Sequence, residues 1–154
     1  MTRGSARISR LEAHLGYWLR FVSNHVSHAF SVKLGAANVT VAEWVLLREV
    51  FEQDSISPSM LADQLGMTRG AISKLAERLV AKELLVQTAD LGDRRYQALA
   101  LTPQGRALVP KLSALADQND AEFFDHLEPG ERTVIEMALK KIVRRLGLRS
   151  VPVE

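Results

Sequence analysis

The chain has 154 residues, 47% of them hydrophobic and 25% charged, with a formal net charge of +2 and no cysteine. This is the balance of an ordinary folded chain, and the absence of thiols excludes disulfides, thiolate metal ligands, a cysteine nucleophile and thiol-based redox sensing. Bulk charge carries no nucleic-acid signal, because between Ser55 and Thr102 six Lys/Arg stand against five Asp/Glu.

The first residues bring Arg3, Arg7 and Arg10, but Glu12, His14 and Arg20 interrupt the next segment, so the apolar centre of a signal peptide is missing. No apolar run approaches the roughly 18 residues of a membrane span. A soluble, cytoplasmic chain with no membrane partner is expected. From Ser9 to Leu34, Leu11, Leu15, Trp18, Leu19, Val22, Val26 and Phe30 recur at helical spacing and predict one long amphipathic helix ending near Gly35. Thr40, with Glu43 three residues on, is a capping box opening a second helix to about Gln53.

Ser57-Pro58 reads as an N-cap followed by proline at the first helical position, and Gly66 as a left-handed stop. Thr68 caps the next helix, which runs through Ile72, Leu75, Leu79 and Val80 to about Lys82. Two short helices around a Gly-containing turn make a helix-turn-helix. Leu84–Thr88 and Tyr96–Leu101 then predict a β-hairpin with a polar tip over residues 89–95. Thr102-Pro103 opens a long helix to about Leu127, Pro129 opens a last one to about Leu146, and the final residues are expected to fray.

The fold class expected is mainly α with a small β-wing. A single domain spans residues 1–154, with a DNA-binding lobe at 38–102 and dimerisation helices at 8–36 and 103–147. The apolar stripes of the terminal helices (Leu108, Leu112, Leu115, Phe123, Phe124; Ile135, Leu139, Ile142, Val143, Leu146) exceed what a small lobe covers, so a second copy is expected against them.

A helix starting at Thr68 with Ile72, Leu75 and Leu79 inward leaves Arg69, Gly70, Ser73, Lys74, Glu77 and Arg78 outward or flanking. Arg69, Ser73 and Lys74 suit base edges, Gly70 allows close approach, and Arg78, Ser57, Ser59 and Thr68 suit the sugar-phosphate chain. The competing reading, for one helix taken alone, is a solvated charged face.

In order and wording the chain resembles the MarR family of bacterial winged helix-turn-helix regulators. The resemblance runs through Leu61–Leu75, Leu84-Leu85-Val86, Asp93-Arg94-Arg95 and Leu99–Gly105. It implies a DNA-binding regulator, usually a repressor, acting as a homodimer on pseudo-palindromic double-stranded DNA. It also implies that Arg94 or Arg95 enters the minor groove while Asp93 braces the hairpin.

The family usually has glycine where Glu83 stands, and a non-glycine residue disfavours positive φ, so a reshaped turn is expected there. The resemblance further implies a small aromatic or anionic effector in a cleft. Tyr17, Trp18, Phe21, His25, His28 and Trp44 are the residues that would line it, although Trp18, Phe21 and Trp44 fit a core equally well and core is favoured for them.

His25 and His28 share a helix face, which alone is a weak metal pattern, so no metal or other cofactor is expected. Ser57, Ser59, Asp63 and His25 supply acid, base and nucleophile types, but no nucleophile elbow, phosphate loop or His-Glu-x-x-His pattern organises them. An enzyme is not expected. A protein-binding adaptor or anti-regulator on the same fold is the alternative function.

Overall fold

A computed structural model describes residues 7–90 and 93–153, with side chains outside 89–96. A single 3-10 turn at Leu11–Ala13 leads into α1 (Leu15–Gly35), followed by α2 (Val41–Phe51), α3 (Pro58–Leu65), α4 (Arg69–Ala81), β1 (Leu85–Asp90), β2 (Asp93–Leu101), α5 (Pro103–Phe124) and α6 (Pro129–Leu146). The one long N-terminal helix expected from Ser9 is therefore broken: His14 has extended dihedrals between the 3-10 turn and α1. No helix among the described residues is long and apolar enough to cross a membrane.

Local caps set the lobe. Thr40 and Glu43 form both bonds of a capping box, each 3.1 Å, at the start of α2. Ser57 accepts from the Met60 N–H at 3.2 Å and Thr68 from the Ala71 N–H at 3.1 Å, so each helix of the helix-turn-helix begins on a hydroxyl. Between them Gly66 has φ +62, as a left-handed cap requires.

One core joins these elements. Leu34 from α1, Leu46, Leu47 and Val50 from α2, Leu61 and Leu65 from α3, Ile72, Leu75 and Leu79 from α4, Leu85 and Leu99 from the hairpin, and Val109 and Leu112 from α5 are all buried together. The strands pair antiparallel from Leu85↔Leu101 at the base to Asp90↔Asp93 at the tip, with a register shift between Ala89 and Asp90. Ile56 and Leu99 exchange backbone hydrogen bonds of 2.9 and 2.8 Å, which ties the hairpin to the segment before α3.

Three expectations are corrected. Pairing continues past the predicted strand ends, so Asp93, Arg94 and Arg95 lie on β2 rather than in a seven-residue tip. The turn at Glu83 is not reshaped: Glu83 takes φ +60, and Leu84 N–H returns to the Leu79 carbonyl at 3.0 Å while the Glu83 carbonyl accepts from the Thr102 hydroxyl at 2.6 Å. Those tertiary bonds hold a conformation that costs a non-glycine residue about 1–2 kcal/mol. The tail is not loose as far as Val151 either, since Val151 N–H reaches the Leu65 carbonyl at 3.1 Å.

Candidate nucleic-acid interface

The outer face of α4 is polar because its inner face is used up. Ile72, Leu75, Ala76 and Leu79 are buried, while Arg69, Gly70, Ser73, Lys74, Glu77 and Arg78 are exposed in one array. The Arg69 guanidinium donates to Ser59 Oγ at 2.7 Å, spanning the two helices of the motif. A guanidinium has five N–H donors, so this bond orients Arg69 and leaves most of its donors for a ligand.

The far end of α4 is fixed by a contact that local sequence reasoning did not find. Lys82 Nζ donates to Glu43 Oε2 at 2.8 Å and to the Asn38 carbonyl at 2.7 Å. Glu43 is only 1% exposed, and its second task is the capping box of α2. An unpaired buried carboxylate is costly, so Lys82 is a positioning residue for α4. The signal available was Glu43 itself, whose helix-cap role concealed its charge.

The hairpin projects beside this face. Its base is set by Thr102, which caps α5 by accepting from Gly105 N–H at 3.0 Å, and by Gly105, where a Cβ would lie 2.1 Å from the Leu84 carbonyl. Asp93, Arg94 and Arg95 fall at the far end of β2, and their side chains lie outside the described residues. Between the hairpin and the start of α3 is a concavity of about 380 Å³ lined by Gln53, Ser55, Ser57, Met60, Thr88 and Gln97. Ser57 lines this concavity, and the Arg69–Ser59 bond ties the α4 array to the same first turn of α3.

The aromatic and histidine residues of α1 are placed elsewhere. Tyr17, Trp18, Phe21 and His25 follow one another along α1, with centroid separations of 5.2 Å for Tyr17–Trp18, 6.5 Å for Trp18–Phe21 and 5.2 Å for Phe21–His25. Trp18 and Phe21 are 48% and 50% exposed, not core. Helical periodicity identified their apolar face, but nothing among the described residues covers it. Trp18 instead lines an apolar groove of about 330 Å³ with Leu15, Leu19, Val22, Phe123 and Ile135.

His28 is exposed, and no cluster of three metal-ligating side chains occurs among the described residues. Trp44 alone of the six lines a half-open cavity, of about 280 Å³, where α1, α2, α5 and the C-terminal tail meet. Phe30, Val41, Val45, Val151 and Pro152 form its apolar wall, and Ser27 and Asn119 bring polar groups. Asn119 is buried, donating Nδ2 to the Val26 carbonyl at 3.1 Å and accepting from Lys33 Nζ at 3.0 Å. One N–H of its amide is left over.

Comparison with known proteins places this geometry. A family model described as MarR family matches residues 37–95, the segment from before α2 to the β2 arginines. A putative transcriptional regulatory protein for the hcr operon of Thauera aromatica is 27% identical over 107 residues, 70% of this chain and 64% of that protein. The transcriptional repressor NicR of Pseudomonas putida is 27% identical over 129 residues, 84% of this chain and 82% of NicR. Among solved structures, Bordetella bronchiseptica BpsR, described for the regulation of its DNA binding by 6-hydroxynicotinic acid, superposes with a TM-score of 0.77 at 28% identity, over 88% of this chain and 96% of that one.

Proposed function

We propose that the chain, which a MarR-family model matches over residues 37–95 and which is similar to the repressor NicR, is a transcriptional regulator of that family rather than an enzyme, acting as a cytoplasmic homodimeric repressor that places two α4 helices in successive major grooves of a pseudo-palindromic site. The observation that carries this reading is the polar array Arg69, Gly70, Ser73, Lys74 and Arg78 on a helix whose other face is fully committed to the core. Arg69, Ser73 and Lys74 read base edges. Arg78, Ser57 and Thr68 contact phosphate and sugar, and Arg94 or Arg95 enters the flanking minor groove, with Asp93 beside them.

Dimerisation is supported by α6, which has no buried residue although Ile135, Leu139, Ile142, Val143 and Leu146 align along it. With the Trp18 groove this leaves a continuous apolar surface of the kind a second copy covers. The effector assigned to the half-open cavity is a single-ring aromatic acid. Phe30 and Trp44, packed edge to face at 6.4 Å between centroids, offer an aromatic wall for a planar ring, and Ser27 and the spare Asn119 N–H suit a carboxylate. That BpsR is regulated by 6-hydroxynicotinic acid supports the same ligand class.

Selection of duplex DNA from a random pool, repeated with 6-hydroxynicotinic acid and benzoic-acid analogues, tests this. An inverted repeat whose recovery falls with an acid is expected. Recovery of no sequence at low salt would refute the regulatory reading.

A further inference from the structure

Residues 140–149 hold Lys140, Lys141, Arg144, Arg145 and Arg149 and no carboxylate, and all five cations are exposed. Lys140 pairs with Glu136. Among the described residues no ion pair takes up Arg144, Arg145 or Arg149.

The cluster is not on a loose end. Gly147, at φ +61, closes α6, and Leu148 N–H returns to the Val143 carbonyl at 3.0 Å. The chain then docks on the turn between the two helices of the DNA-binding motif. Val151 N–H bonds the Leu65 carbonyl at 3.1 Å, the Ser150 hydroxyl donates to the Gly66 carbonyl at 3.4 Å, and a Cβ on Gly66 would lie 2.5 Å from the Arg149 carbonyl oxygen.

The docking uses backbone groups, the Ser150 hydroxyl and Val151, so no arginine side chain is spent on it. Gly66 is two residues from Thr68, the cap of α4, which keeps their Cα atoms within about 7.6 Å of each other. Arg149 is therefore held next to the start of α4, with the cationic last turn of α6 just before it in the chain.

We propose that Arg144, Arg145 and Arg149 form a third DNA-contacting element, which binds backbone phosphates beside α4 and carries affinity without sequence preference. The proposal rests on the DNA-binding reading above. The guanidinium fork matches a phosphate oxygen pair, which a solvated lysine does less well. Favourable interaction with the α6 dipole accounts for cations in its last turn. It does not account for Arg149, which lies beyond the left-handed cap and is fixed against another element.

The test compares the wild-type chain with R144Q/R145Q/R149Q, and with R149Q alone, by fluorescence anisotropy on the selected site and on a random duplex across a salt series. The slope of log affinity against log salt should flatten by about 0.9 for each phosphate that is no longer neutralised. The triple variant should bind both duplexes about tenfold or more weakly at moderate salt, with the ratio between them kept and the mass in solution unchanged.

An unchanged salt slope overturns the proposal, including the case where only the melting temperature falls, as a purely helix-capping role requires. Loss confined to the selected site also overturns it, since that is base reading. R149Q guards against an effect through α6, because it alters no residue of that helix and should still flatten the slope. Wild-type chain that binds neither duplex would instead refute the underlying DNA-binding reading, a result seen before any variant is compared.

Discussion

In the lobe, Leu46, Leu47, Leu61, Ile72, Leu79, Leu85 and Leu99 have essentially no exposed surface, whereas along α6 Ile135, Leu139, Ile142, Val143 and Leu146 are all between 41% and 66% exposed. The residue types are the same in both regions, and the helices of the lobe carry the same helical spacing. What differs is whether the chain itself supplies the opposite face. The lobe is closed because α2, α3, α4, the hairpin, the start of α5 and the end of α1 at Leu34 meet around one core. Beyond Leu34, Val109 and Leu112, which join the core, the terminal helices leave most of their apolar stripe uncovered among the described residues. The contrast teaches that the same apolar residues make a core where the chain supplies the opposite face and an uncovered surface where it does not, which is the surface the proposed dimer would bury.

The largest effect should come from disrupting that uncovered surface. Leu139→Glu with Ile142→Glu puts charge in the apolar stripe of α6, where the chain buries nothing. Sedimentation should give a monomer with an intact helical circular dichroism spectrum, and binding to an inverted repeat should be lost. The mirror experiment is Leu79→Ala in the lobe core, which should lower unfolding free energy by about 2–5 kcal/mol. Urea denaturation reads it, and the lost stability should not be recovered by raising the protein concentration if the dimer seam is untouched.

Arg69→Ala removes an exposed, oriented guanidinium and leaves both regions folded. Affinity for the selected site should fall by about 1–3 kcal/mol and discrimination at one base pair should relax, by competition binding. The smallest effect expected is a gain: Glu83→Gly relieves a left-handed non-glycine residue and should stabilise the lobe by about 1 kcal/mol, seen as a raised urea midpoint.

The same contrast explains how much was legible in the sequence. Thr40 with Glu43, Ser57-Pro58, Gly66 and Thr68 were readable because a cap is decided by residues three or four apart. The outward set on α4 followed from the inward one. Trp18 and Phe21 point to a core that the single chain does not have, because periodicity says which face is apolar and not what covers it.

Glu83 on its own predicts a reshaped turn, but Thr102, 19 residues later, holds that turn in place. The Glu43–Lys82 pair and the docking of Val151 on Leu65 join residues 39 and 86 positions apart, and no local pattern announces such pairings. Of the cleft residues, Trp44 lines the half-open cavity while Tyr17, Trp18, Phe21 and His25 run along the exposed face of α1.

The measurement that tests the account most directly is the mass of the complex formed with the selected duplex, combined with a footprint at base resolution. Two chains per duplex are predicted, with two protected half-sites related by a dyad and about 10 base pairs apart, centre to centre, or a multiple of that. One chain per duplex, or protection without two-fold symmetry, would contradict it.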